Sequence, residues 1–173
     1  VPKDNPFIGK AGYLPEIWSY GHRNPQGLAM DQNGALWAHE HGAKGGDEIN
    51  RIRKGANYGW PVIAYGKHYS GRKIGLGTSK TGMEQPAHYW DPSIAPSGYA
   101  IYSGKSNREW RGHHLVGSLK FDYIARLSGK NLREVGQIQT NETKRVRDIR
   151  EAPDGSIWFL SVGNGTLNRM SFP

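Results

Sequence analysis

Cysteine is absent from all 173 residues, which excludes a disulfide framework and any thiolate metal site. No apolar run approaches the ~18 residues of a membrane span, and no signal peptide opens the chain. The chain begins VPKDNPF, without an initiator methionine, and reads as a loop, so residue 1 is expected to be an internal point of a longer protein. Runs of five or more basic residues are missing too. The formal charge of +8 is scattered, in local pairs such as Arg51 with Arg53 or Arg145 with Arg147. Scatter argues against a disordered basic arm. Ordinary solvated surface and an anionic small ligand both suit it, whereas a nucleic-acid binder would need a basic stripe with stacking aromatics.

Long amphipathic helix patterns are lacking as well. In their place stand 24 glycines and 10 prolines among six Trp and nine Tyr, a mixture that favours many short strands joined by turns. In QGLAMDQNGALWAHE, residues 27–30 read as a strand, Asn33-Gly34 as a tight hairpin turn and residues 35–39 as a second strand. A third covers residues 47–53. The pattern recurs in RVRDIREAPDGSIWFLSV: a strand over 146–151, a turn at Asp154-Gly155, strands over 156–161 and 165–171. Trp37 and Trp158 occupy matching offsets in the two units. Between them, residues 98–103, 114–119, 123–128 and 132–140 form a third unit. Repeated sheets of three or four short strands are the signature of propeller blades. The fold class expected is all-β, a β-propeller of which this chain supplies about three blades, with the domain covering 1–173. A β-sandwich of similar strand count is the alternative. Three blades cannot close a ring, so apolar blade faces should lie open unless a partner covers them. A long insertion, about 55–96, carries Tyr58, Trp60, Tyr65, Tyr69, Tyr89 and Trp90, which argue against disorder.

Chemistry concentrates in two stretches. In GHRNPQG, Arg23 offers a planar fork of donors and Asn24 an amide, together suited to adjacent carbonyl or carboxylate oxygens. A turn with a structural arginine is the alternative. In HEHGAKGGDEIN, His39 and His41 alternate on one face with Glu40 on the other. A third zinc ligand at proper spacing is not evident. The glycine-loosened, oxygen-rich segment better suits Ca2+, which accepts backbone carbonyls; a plain acidic turn stays open beside it. Arg145 and Arg147 alternate, so two cations on one face favour an anionic ligand or solvent.

The run GHRNPQGLAMDQNGALWAHEHGAKGGDEINRIRKGANYGWP resembles the central signature of the glucose/sorbosone dehydrogenase family, in its soluble aldose sugar dehydrogenase branch, which uses pyrroloquinoline quinone (PQQ). The resemblance continues through EQPAHYWDPSIAPSG, GSLK and RVRDIREAPDG to the C-terminus. It implies a six-bladed propeller in the parent, this chain being roughly its C-terminal half and the N-terminal half its partner. PQQ lies over the central mouth, beside Ca2+. Arg23 and Asn24 match residues that hydrogen-bond the quinone oxygens, with Arg23 in a catalytic role. Gly42 and Ala43 match the pair whose carbonyls bind the cofactor Ca2+; many members have proline where this chain has Ala43. Lys120, Arg145 and Arg147 match cofactor-contacting cations. Glu48 and Tyr58 match a second, structural calcium site. His41 falls near the cofactor, and Tyr89, Trp90 and the 93–97 loop near the substrate mouth. The implied reaction oxidises the anomeric hydroxyl of an aldose to a lactone. A histidine is the general base, hydride passes to the quinone carbon, and an external acceptor takes the electrons. None of the seven histidines matches that base, which lies upstream of GHRNPQG, so the chain alone is expected to be inactive. The family also implies a periplasmic or secreted protein. The rival expectation is a non-catalytic sugar-binding or interaction propeller.

Overall fold

The computed structural model describes residues 1–172; Pro173, the last residue of the expected domain, lies outside the described residues. Among the described residues eleven strands form three antiparallel meanders. The first sheet runs β1 (Pro25–Met30), β2 (Leu36–Glu40), β3 (Asp47–Ile52) and β4 (His88–Trp90). The second runs β5 (Pro96–Ile101), β6 (His114–Ser118), β7 (Ile124–Ser128) and β8 (Arg133–Ile138). The third holds β9 (Val146–Glu151), β10 (Ile157–Ser161) and β11 (Thr166–Met170). Thus the expected strands form in the expected order, and the first sheet gains β4 from the end of the insertion.

The two Asx-Gly turns are three-residue loops rather than two-residue ones. Asp31 N pairs with Ala35 O and Ala152 N with Ser156 O, while Gly34 (φ 77°) and Gly155 (φ 86°) take the left-handed position. Asp31 Oδ1 accepts from the amides of Asn33 and Ala35, which fixes the first loop.

The middle sheet explains why the strands lack a polar face. Tyr99, Ile101, Val116 and Leu127 pack with Ile49 and Trp90 of the first sheet. Ala100, Tyr102, Leu115 and Ile124 pack with Val146, Ile149, Ile157 and Phe159 of the third. Every residue of β5 and β6 is therefore buried. Burial of each such large side chain contributes roughly 2 kcal/mol. On the flanking sheets Leu28 (62 % exposed), Met30 (64 %) and Leu167 (60 %) remain in the open, as a partial ring requires.

The first strands of the three sheets pack side by side, β1 against β5 and β5 against β9. Glycine permits the approach. A Cβ at Gly27 would meet Tyr99 Cβ at 2.7 Å, and one at Gly98 would overlap the backbone of Ile149 and Asp148. Both glycines stand third in their strands, in PQGLAM and PSGYAI. Ser97 Oγ ties the strands again, donating 2.6 Å to Val146 O. The N-terminal ends of β1, β5 and β9 consequently share one end of the assembly. The residues just before them, Arg23 and Asn24, Ser93 to Ala95, and Arg145, gather there.

Candidate functional site

At that end lies a cavity of about 720 Å3, lined by Arg23, Asn24, His41, Gly42, Ala43 and Lys120 together with Lys44, Lys67, Tyr69 and Asp91. Each wall has a local cause. Glu40, buried at the end of β2, accepts from the amides of Arg23 and Asn24, from Asn50 Nδ2 at 3.1 Å, and pairs with His22 Nδ1 at 3.2 Å. Its carboxylate thereby fixes the turn that presents Arg23. Sequence alternation placed Glu40 opposite His39 and left its role unseen, because both faces of a blade strand are buried. Glu40→Gln is expected to lower unfolding stability by about 2 kcal/mol, since a glutamine oxygen that accepts from both backbone amides sets its NH2 against the Asn50 Nδ2 donor, which then loses its acceptor. Urea titration checks this, and an unchanged midpoint would release Glu40 from that role.

The Arg23 guanidinium donates from Nη1 to His41 O at 2.9 Å and lies 5.3 Å from the Trp60 ring centroid. Its Nε is buried without a partner. His41 N returns a bond to Asn24 O at 3.0 Å, and His41 Nε2 donates to Pro96 O at 2.6 Å. The Asn24 side chain faces solvent and accepts from Gln26 Nε2.

Residues 42–46 form a tight loop over β3. Gly45 (φ 83°) and Gly46 (φ 71°) are left-handed, and a Cβ on Gly42 would overlap the carbonyls of Gly45 and Gly46. Asp47, fully buried, secures the loop from beneath. Its Oδ1 accepts from Gly42 N at 2.9 Å; its Oδ2 accepts from Ser93 Oγ at 2.6 Å and Ala95 N at 2.9 Å. Lys44 and Lys67 pair by backbone, bringing the insertion onto the loop.

Beside it a small enclosure of about 20 Å3 is lined by Glu40, Glu48, Tyr58 and Trp60. Burial raises the Glu48 carboxyl to about 7; the Asn50 hydrogen bond lowers it, and the neighbouring Glu40 and Asp47 raise it further. Asn50 Oδ1 is also buried and unpartnered. The Tyr58 hydroxyl donates to Arg51 O and accepts from Arg53 N, so any ligation by Tyr58 falls to its carbonyl. Among the described residues no three His, Asp or Glu side chains converge as a metal cluster, so a cation here depends on backbone oxygens as well.

Other expected residues lie elsewhere. Arg145 is left-handed (φ 49°) and precedes β9 rather than alternating on it with Arg147. Both are exposed and outside the cavity lining, though at the same end. Tyr89 stacks on Tyr65 at 4.0 Å, away from the cavity. Ser93 and Ala95 do line it, whereas Ser97 is buried between sheets. His39 is fully buried beside Tyr99, and desolvation lowers it to about 4. The insertion supplied what sequence order could not reveal: Lys67, Tyr69 and Asp91 reach the cavity from positions far from the motifs.

The model of the family described as Glucose / Sorbosone dehydrogenase matches residues 1–169. This chain belongs to that family. It is 46 % identical over 177 residues to aldose sugar dehydrogenase YliI of Escherichia coli, covering 99 % of this chain and 48 % of the relative. The solved soluble aldose sugar dehydrogenase of E. coli, in its apo form, superposes with a TM-score of 0.90 at 42 % identity, over 99 % of this chain and 52 % of that one. The PQQ-bound aldose sugar dehydrogenase of Streptomyces coelicolor superposes at 0.67 and 30 % identity, over 92 % and 42 %. This member of the glucose/sorbosone dehydrogenase family thus spans about half the length of the relatives it matches, and its three sheets are part of a β-propeller. Among the described residues no helix is long and apolar enough to cross a membrane.

Proposed function

We propose that the full-length protein oxidises the anomeric hydroxyl of aldoses to lactones with PQQ and Ca2+, passing the electrons to an external acceptor. One observation carries the reading: Arg23, Asn24, His41, Gly42, Ala43 and Lys120, scattered over a hundred residues of sequence, line one cavity. Its charge fits the cofactor. Arg23, Lys44, Lys67 and Lys120 face a single carboxylate, Asp91, which suits a tricarboxylate. Arg145 and Arg147 add charge at the same end. Glycine at 42 lets the carbonyls of Gly45 and Gly46 pack against it, so the 42–46 loop is rich in backbone oxygens, which suits a cation held by the Gly42 and Ala43 carbonyls. The enclosure at Glu48 suits a second Ca2+, because its carboxylate lacks a cationic partner.

Bound there, PQQ supplies a two-electron acceptor and Ca2+ a Lewis acid beside it. The chain's own residues position and stabilise. Arg23 holds positive charge where negative charge grows in the transition state, with its fork oriented by His41 O and Trp60. Lys120, two residues past β6, anchors carboxylate. His41 keeps its Nε2 proton on Pro96 O, so only Nδ1 can accept. None of the seven histidines matches the general base that the family carries upstream, and residues 1–173 alone should bind without turning over. Periplasmic or secreted localisation belongs to the same proposal.

The test adds PQQ and Ca2+ to the full-length protein and follows dye reduction with glucose and other aldoses. Reduction should require sugar and both additions. No reduction with any aldose, and no PQQ binding by calorimetry, would leave a sugar-binding propeller instead.

A further inference from the structure

A second cleft, of about 460 Å3, opens at the same end of the molecule. Its walls are the end of β4 and the residues after it, the turn between β6 and β7, and one side of β8. Asp91 and Pro92 line both this cleft and the cavity, so the two are separated by one wall. The cleft lies between the first and second sheets, whose facing sides are both present here.

Its lining is aromatic and polar at once. Phe121, 38 % exposed, presents ring surface. Tyr123 is buried, and among the described residues none hydrogen-bonds its hydroxyl. Burial, then Glu134 and Asp47, push that hydroxyl up to about 12, so it stays a neutral donor. Glu134 accepts from Trp90 Nε1 at 2.8 Å and from Gln137 Nε2 at 2.6 Å. That orients the Gln137 amide and leaves its oxygen for a ligand. Planar carboxylates and amides pair with neighbouring hydroxyls, and aromatic faces cover the C–H face of a pyranose ring. Asp91 and Glu134 set negative charge against phosphates and carboxylates, and the cation beside the lining, Lys120 Nζ, lies over the Phe121 ring at 4.8 Å from its centroid. The volume lies within the range of small-ligand sites.

We infer that this cleft binds the units of an oligosaccharide beyond the reducing-end ring, making chains of two or more sugars the preferred aldoses. The inference rests on the dehydrogenase reading for the role of the reducing end. Contacts to the remote units serve to hold the reacting ring in place.

Maltotriose, cellotriose and glucose are titrated by calorimetry into the full-length protein without cofactor, and kcat/KM for each is measured with PQQ and Ca2+. At least one trisaccharide should bind about tenfold more tightly than glucose. In Gln137→Ala that preference should fall about threefold to tenfold, and in Phe121→Leu by at least as much, with thermal midpoints confirming folded variants. The kcat/KM ratio of trisaccharide to glucose should fall in parallel. Equal binding of all three sugars, or a preference unchanged in both variants, overturns the inference. Preferred trisaccharide binding with no oxidation of any sugar keeps the cleft and removes the dehydrogenase reading.

Discussion

Replacing Arg23 by alanine is expected to lower kcat for aldose oxidation about a hundredfold in the full-length protein, the usual scale for removing one donor at developing charge. On the proposed reading, the guanidinium is held for this task. One nitrogen is spent on His41 O, the plane rests near Trp60, and Nε remains unpartnered beside the cavity. Arg23→Lys should recover only a small part, since an ammonium keeps the charge but not the fork. Unfolding stability should change far less than activity, because the turn itself is tied by Glu40 to backbone amides that alanine retains. Dye reduction at saturating sugar, with urea midpoints alongside, checks both. Activity within threefold of the parent would remove Arg23 from the reacting end.

Acid should destabilise the protein, and calcium should make the loss steeper. His39 and His114, both buried between the first two sheets, are held near 4 by desolvation. His114 Nδ1 faces the Tyr99 hydroxyl at 2.6 Å, and Trp37 packs edge-on against its ring. Below the ordinary histidine value of 6.5 the unfolded chain takes up protons that the folded one refuses. Stability is therefore whole above that value and falls as pH drops toward 4, by roughly 2 kcal/mol per histidine at pH 5. His88 and His113, also lowered by burial, act in the same direction. Glu48 acts oppositely. Raised to about 7, it holds a proton when folded that the unfolded chain has released, and so offsets about one histidine as pH falls. A cation on Glu48 would abolish that offset. Urea unfolding at pH 7 and pH 5 should show roughly twice the loss in Ca2+ that it shows in chelator. Equal losses would take the cation away from Glu48.

Much of the fold was legible because its punctuation is local. Asn33-Gly34 and Asp154-Gly155 mark turns by residue type alone, and the matched tryptophans reveal the repeat. Strand β4 was not legible: three residues inside a glycine- and proline-rich insertion carry no periodicity. Alternation misplaced Arg145 because a left-handed residue before β9 breaks the count. It also hid Glu40, since burial on both faces of a sheet removes the contrast that alternation reads. Arg23, Asn24, Gly42, Ala43 and Lys120 were legible through the family's motifs. Their neighbours Lys67, Tyr69 and Asp91 were not, because the fold of the insertion, and not any spacing, brings them to the cavity.

The glycines between neighbouring sheets also divide the molecule into parts that can change at different rates. Gly27 and Gly98 sit where any side chain would wedge two sheets apart, so descent with modification has almost no freedom there. The loops that build the cavity hang from strand ends, and the cleft is walled by the outer strands β4 and β8 rather than by the strands that carry these glycines. Residues such as Tyr69 and Gln137, both exposed, can be exchanged while the hub stays frozen. On the proposed dehydrogenase reading, a lineage carrying this scaffold can therefore shift from one sugar to another through rim substitutions alone, without first acquiring stability to spare.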